Sequence, residues 1–328
     1  MSGGAPVADR WSVGGHVVAL SGGVGGAKLA AGLAAVLPPE RLTIVVNTGD
    51  DFEHLGLTVC PDIDSVTYAL AGLNDTQRGW GVADESWNAL EMLGKLGEAQ
   101  WFNLGDRDLA MHIARSWRLR AGEPLSDITQ RLTNALGIAH AVAPMTDDPV
   151  RTQVRTDAGW IDFQQYFVRE KCEPIVREVG FSGTPGAVPS PAFAQALARK
   201  DLAAVVICPS NPFLSVDPIL AVDGIREALC ALAVPIVAVS PLVGGKALKG
   251  PLGKLLAELG PGSDNRAIAA HYAGLADHLV IDQLDEADAE GLRNTGLCVT
   301  VTQTVMQNAD DRESLARDVL AAVGVEVV

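Results

Sequence analysis

Four short apolar runs rich in β-branched residues, each ending in a polar or glycine-rich motif, constrain this chain more than any other feature. Val17-Val18-Ala19-Leu20 leads into Ser21-Gly22-Gly23-Val24-Gly25-Gly26-Ala27-Lys28, and Leu42 to Val46 leads into Asn47-Thr48-Gly49-Asp50-Asp51. Leu202 to Cys208 precedes Pro209-Ser210-Asn211-Pro212, and Pro235 to Val239 precedes Ser240-Pro241 and the glycine turn that reaches Lys246. Such runs suit the strands of a parallel sheet. In open α/β sheets the carboxyl ends of the strands form the ligand crevice, so the four motifs are expected to converge. A chain built this way is an enzyme or a ligand binder.

The opening reads strand, glycine turn, helix (about 28–37) and strand, with Pro38-Pro39 closing the helix. Over about 62–136 the strand signal disappears, and helical patterns at 63–70, 84–96, 106–120 and 126–136 mark an insertion. Within the third, Leu109, His112, Ile113 and Trp117 recur at helical spacing, which reads as a packed face that includes His112. Asp157-Ala158-Gly159 turns 151–156 back into 160–168, a hairpin that either extends the sheet or forms a flap over about 150–180. The βα rhythm then returns and ends in a helix near 312–323. The expected architecture is α/β, a Rossmann-like three-layer core with a mostly parallel sheet and a helical insertion. One domain is expected over 16–328, after a disordered leader of 1–15.

Composition narrows the function. With 40 acidic against 25 basic residues the net charge is −15, a field that repels nucleic acid and anionic lipid. An anionic ligand needs local compensation from Lys, Arg, backbone N–H groups or a metal ion. The five cysteines are scattered without a C-x-x-C pair, and the first 15 residues lack the apolar core of a signal peptide. No apolar run approaches a bilayer span. These features predict a cytoplasmic protein with reduced thiols and no structural zinc.

The cluster Gly22-Gly23-x-Gly25-Gly26 lets the backbone approach an anion, and the helix that follows offers unpaired N–H groups to phosphate. Lys28 stands where the third glycine of a dinucleotide fingerprint would be and adds a phosphate contact. Asp50 and Asp51 end the second strand, with Asp62 and Asp64 at a helix start; four converging carboxylates repel one another unless a cation is present. Mg²⁺, which takes one or two carboxylates plus phosphate oxygens and water, suits them, while helix capping is the competing account of Asp62 and Asp64. Arg107, between two acids, either braces them or reaches a phosphate. Ser210 and Asn211 present a hydroxyl and an amide suited to a base or ribose, Ser240 through Lys246 supplies a glycine turn and a cation, and Trp80 offers an indole to a flat ring.

Taken in order, these segments resemble the CofD-type 2-phospho-L-lactate transferases of coenzyme F-420 biosynthesis. The resemblance rests on Ser21-Gly22-Gly23 with Ala27-Lys28-Leu29, Val45 to Asp51, Pro61-Asp62-Ile63-Asp64, Arg78-Gly79-Trp80-Gly81, Gly105-Asp106-Arg107-Asp108, Asp147-Asp148-Pro149-Val150, Phe163-Gln164, Pro209 to Pro212 and Ser240-Pro241. It implies transfer of a phosphorylated three-carbon acid (2-phospholactate, phosphoenolpyruvate or 3-phosphoglycerate) from a guanosine diphospho-linked donor to the deazaflavin Fo, with release of GMP and Mg²⁺ as the metal. It further implies that Asp50 and Asp62 hold the metal and that Asp51 orients or deprotonates the Fo hydroxyl. Under it, the Gly22–Gly26 turn, Ser210, Asn211 and Lys246 hold the guanosine diphosphate, and Trp80 contacts the deazaflavin. A homodimer is the expected assembly. Two other functions stay open on residues alone: a nicotinamide-dependent oxidoreductase, suggested by the glycine turn, and a non-catalytic nucleotide-sugar-binding regulator of the same fold.

Overall fold

The computed structural model describes residues 14–248, 250–260 and 262–327. Most of the expected leader, 1–13, lies outside the described residues, and His16 already opens the first strand.

Seven strands form the central sheet: β1 (His16–Ser21), β2 (Leu42–Val46), β3 (Ala141–Pro144), β4 (Leu202–Ile207), β5 (Ile236–Val239), β6 (His278–Asp282) and β7 (Cys298–Thr302). Their spatial order is β7-β6-β5-β4-β1-β2-β3, and every neighbouring pair is parallel. The chain therefore starts in the middle of the sheet, builds outward to one edge, and returns to build the other half. The order reverses between β1 and β4, and the crevice beyond their carboxyl ends is the natural ligand site of such a sheet.

The continuous apolar runs follow from cover on both faces. Val17, Ala19, Ile44 and Val206 pack into one core with α1 (Gly23–Val36), α2 (Pro61–Leu70) and the C-terminal helix Ala309–Ala322. Val18, Leu20, Val45 and Ile207 pack into the other with Phe193, Ile219, Leu256 and Ile268. Alternate residues of one strand thus serve opposite layers, which gives the three-layer arrangement.

The insertion contains α2, α3 (Asn88–Lys95), α4 (Asp106–Arg120) and α5 (Leu125–Ala135). Two departures from the expected elements matter for the site. Helix α1 begins at Gly23 rather than near Lys28, so the glycine cluster is the helix's first turn. The hairpin Arg151–Thr156/Gly159–Asp162 exists, but its second arm is short and it pairs with Glu178–Ser182 as a separate antiparallel sheet, without joining the central one. Val154, Phe163, Tyr166 and Val176 give that sheet a small core of its own against Leu214 and Leu255. The hairpin Phe52–His54/Leu57–Val59, the strand β7 and the helix Pro191–Leu197 carry no signal strong enough to single them out in the sequence.

Helix α1 and the C-terminal helix meet so closely at Gly32 that a Cβ there would run into the backbone carbonyl of Arg312. Alanine gains about 1 kcal/mol in helix propensity over glycine, yet overpacking against backbone costs about 1–3 kcal/mol. Gly32→Ala is therefore expected to lower stability by up to about 2 kcal/mol, read from urea denaturation; raised stability would show that the two helices can separate freely.

Candidate active site

The carboxyl ends of β1, β2, β4 and β5 open into a cavity of about 790 Å³, closed on its other sides by α2, α4, the loop around Trp80, and the segments at 163–168 and 304–306. Gly22, Gly23, Gly25, Lys28, Asp50, Asp62, Trp80, Ser210, Asn211 and Ser240 all reach its wall, as the convergence argument requires.

The switch point is tied shut at its base. Ser210 Oγ accepts from the Gly22 amide (3.2 Å) and donates to the Gly22 carbonyl (2.8 Å), so one hydroxyl staples the exits of β1 and β4. This approach dictates glycine: a Cβ at Gly25 would enter the Pro209 carbonyl, and Gly23 begins α1 with φ of 64°, in the left-handed region. Asn211 Oδ1 accepts from the amides of Phe213 and Leu214, leaving its amide nitrogen for a ligand. Ser240 Oγ donates to Asn265 Oδ1 (2.6 Å) and accepts from the Leu242 amide, so this hydroxyl is structural although the residue lines the cavity. Lys28 Nζ donates to the Met306 carbonyl at 2.6 Å, joining α1 to the far wall.

The acidic floor comes from β2 and α2. Asn47, fully buried, donates from Nδ2 to Asp62 Oδ2 (2.9 Å) and to the Leu214 carbonyl, while its Oδ1 accepts from Gly49. Asp62 is thereby aimed inward from the first turn of α2. Burial raises its carboxyl to about 6, against the opposing hydrogen bonds from Asn47 and the Gly23 amide. Asp50 is pushed well above the ordinary carboxylate range by burial and then by the charges of Asp62 and Asp51, and its Oδ1 has no hydrogen-bond partner. Two buried carboxylates with an orphaned oxygen between strand and helix are a donor set that suits a hard divalent cation.

Asp64, also on the cavity wall, is held by a cation instead. It makes a two-point ion pair with Arg115, which also lies 3.3 Å from His112 Nδ1. The inward face of α4 is thus polar (His112, Arg115 and Ser116 are buried), whereas Ile113 and Trp117 are 51% and 65% exposed. The packed face expected from Leu109, His112, Ile113 and Trp117 is corrected on this point, because α4 meets carboxylates and backbone carbonyls rather than an apolar layer.

Four expected site residues stand apart from the cavity. Asp51 is buried behind the wall, where desolvation raises its carboxyl to about 7 and Arg151 acts in the opposite direction. Arg107 is exposed and donates to the Ala83 carbonyl (3.1 Å), so it braces a loop instead of reaching a phosphate. Lys246 is exposed on the hairpin Leu242–Val243/Lys246–Ala247, whose Val243 and Ala247 face the cavity instead. Gly26 also lies off the wall, packed on the hydroxyls of Ser21 and Ser210.

Asp108, Tyr68, Asp64 and His112 are wall residues that motif reading did not assign to the ligand. The signal for them is the period of α4 and α2, on which polar residues, not apolar ones, recur every three to four positions. The loop that carries Trp80 is fastened by exchanged caps: Glu85 accepts from the amides of Arg107 and Asp108 at the start of α4, and Asp106 accepts from the amides of Asn88 and Ala89 at the start of α3. Those bonds, led by the one from Ala89, hold the Asp106 carboxyl down to about 2.

The family model described as 2-phospho-L-lactate transferase CofD matches residues 17–324. A phosphoenolpyruvate transferase of Streptomyces coelicolor is 38% identical over 311 residues, covering 93% of this chain and 97% of that protein. A 2-phospho-L-lactate transferase of Methanosarcina mazei is 36% identical over 306 residues, covering 93% and 100%. Among solved structures, a UPF0052 family member from Bacillus halodurans superposes with a TM-score of 0.62 at 17% identity, over 93% of this chain and 98% of that one, which shows a shared fold.

The raised carboxyls make a pH prediction. Asp51 and Asp62 have folded values above their ordinary 3.8, so the folded chain binds their protons more tightly than the unfolded chain. Their contribution to stability is full below about pH 4 and is lost as pH rises through about 6 to 7. The melting temperature of metal-free protein is expected to fall between about pH 5 and 8, and Mg²⁺ to raise it more at the upper pH. Equal Mg²⁺ shifts at both ends would show that these carboxylates do not bind the ion.

Proposed function

The chain belongs to the CofD family of 2-phospho-L-lactate transferases and is a transferase enzyme; on that premise we propose that it moves a phosphorylated three-carbon acid from a guanosine diphospho-linked donor to the ribityl hydroxyl of Fo, with GMP as the leaving group. The observation that carries this reading is the placement of Asp50 and Asp62, buried and facing one cavity at the β1/β4 switch point, beside the first turn of α1. The amides of that turn beyond Gly23 are available to a diphosphate, and the same cavity is lined by Trp80.

In this reading the Fo oxygen attacks the phosphorus that bears the acid. A new P–O bond forms, the bond to the GMP oxygen breaks, and the hydroxyl proton passes to a carboxylate of the floor. Asp50 and Asp62 would hold Mg²⁺, which when bound supplies charge neutralisation to the diphosphate and to the carboxylates themselves. Asp50 lines the cavity and Asp51 lies behind it, so Asp50 takes the ligand-facing role and Asp51 supports it. Asn47 keeps Asp62 in place, the staple through Ser210 fixes the crevice where the phosphates lie, and Lys28 stands on the cavity wall one helical turn further on. Both phosphoenolpyruvate and phospholactate relatives match over nearly the whole chain, so the proposal names the class of acid common to them.

Incubation with Fo, Mg²⁺ and each of the three guanosine diphospho-acids, followed by GMP release and product mass, tests the reading. One donor is expected to yield a deazaflavin heavier by the phospho-acid; no product with any of them would favour a nucleotide-sugar-binding regulator. Asp62→Asn is expected to reduce turnover by about 10²-fold or more while the protein stays folded. A near-normal rate at saturating Mg²⁺ would remove Asp62 from the site.

A further inference from the structure

We propose that Asp108 reads the acceptor by its hydroxyl groups, with Oδ2 accepting a hydrogen bond from an alcohol on a neutral, polyhydroxylated chain. This assignment rests on the transferase reading above and goes beyond it by naming the residue that selects such a chain.

Asp108 sits in the first turn of α4, where Glu85 holds its amide at 3.1 Å, and its side chain reaches the cavity wall. Its two oxygens are not equivalent. Oδ1 accepts from the Tyr68 phenol at 2.6 Å and has His112 Nε2 beside it at 3.3 Å. Among the described residues no hydrogen-bond donor reaches Oδ2. The groups that contact the Oδ1 side are themselves held in place. Arg115 carries only donors and approaches His112 Nδ1 at 3.3 Å, which sets the imidazole so that its Nε2 lies 3.3 Å from Asp108 Oδ1. Arg115 is in turn fixed by both oxygens of Asp64. Burial acts to raise the Asp108 carboxyl, but His112, Tyr68 and Arg115 outweigh it and hold it below the usual range.

What lines this wall is therefore a fixed, ionised Asp108 carboxylate, with Asp64, paired to Arg115, beside it on the same wall. An ionised carboxylate only accepts, so its partner must donate. The same charge disfavours a phosphate or carboxylate at this position, which directs the donor's diphosphate to the amides of α1 and leaves the α2/α4 wall for an uncharged segment. Alcohols satisfy both conditions. Trp80 lines the same cavity, so it offers its indole to a flat ring of the molecule whose hydroxylated arm meets Asp108.

Fluorescence titration of the full chain with Fo, with a deazaflavin bearing a plain alkyl chain, and with GDP tests this. Fo is expected to bind about tenfold or more tightly than the alkyl analogue, and Asp108→Asn to bring Fo to the analogue's level while the analogue and GDP stay unchanged. An Asp108→Asn protein that keeps the preference for Fo, or that weakens all three ligands alike, overturns the assignment. Tyr68→Phe, which keeps the carboxylate but loosens it, is expected to cost Fo about threefold and the analogue nothing, and it serves if Asp108→Asn fails to fold. Equal binding of Fo and the analogue by the unaltered protein also overturns it. If the unaltered protein binds no Fo at all, the transferase reading falls and this assignment with it, an outcome distinct from Fo binding that ignores Asp108.

Discussion

At the α2/α4 wall of the cavity Asp64 and Arg115 form an ion pair with almost no access to water, and the arrangement of that wall depends on it. Taking away one partner of a buried pair leaves an uncompensated charge and costs about 3–5 kcal/mol, far more than a surface pair is worth. Here Arg115 does more than neutralise Asp64. It orients His112, which flanks Asp108, and it acts electrostatically on Asp51 and Cys60. The neighbouring carboxylates differ in kind. Asp50 and Asp62 have no ion-pair partner among the described residues, and for them desolvation wins, which is why both are raised while Asp108 is lowered. Pairing thus separates Asp64 and Asp108, which Arg115 and His112 contact, from Asp50 and Asp62, whose burial no cation among the described residues offsets.

The central sheet was legible in the sequence because its physical cause is local: a strand covered on both faces must be apolar at every position, and such runs stand out. Their ends located the crevice for the same reason. The hairpin Phe52–His54/Leu57–Val59 and the strand β7 were not legible, since Phe-Glu-His and Cys-Val-Thr-Val-Thr have weaker patterns and owe their form to tertiary partners. Helix α4 misled in an instructive way. Apolar spacing normally marks the buried side of a helix, and here Ile113 and Trp117 lie on the exposed side because the buried side binds carboxylates.

Within the site, residue type and position along the chain identified Asp50, Asp62, the glycine turn, Ser210 and Asn211 as members of the cavity wall. Arg107 and Lys246 looked equally suitable, but a motif specifies a backbone path and not which way a long side chain leaves it. Arg107 turns to the Ala83 carbonyl, and Lys246 stands on the solvent side of a two-residue strand. Tyr68, Arg115 and His112 lie 40 or more positions from some of their partners, so their cooperation exists only after α2 and α4 have packed.

The bond from Lys28 to the Met306 carbonyl and the contact of Gly32 with Arg312 join the first helix of the chain to its last. Thr304, Val305 and Met306 complete a wall whose opposite side is Gly22 and Gly23. During synthesis the glycine turn leaves the ribosome some 280 residues ahead of its counterpart. Until residues 304–306 have emerged the crevice is half built, with its floor of carboxylates open on one side. A closed chamber therefore waits on the segment between β7 and the helix after it, which acts as the closing piece.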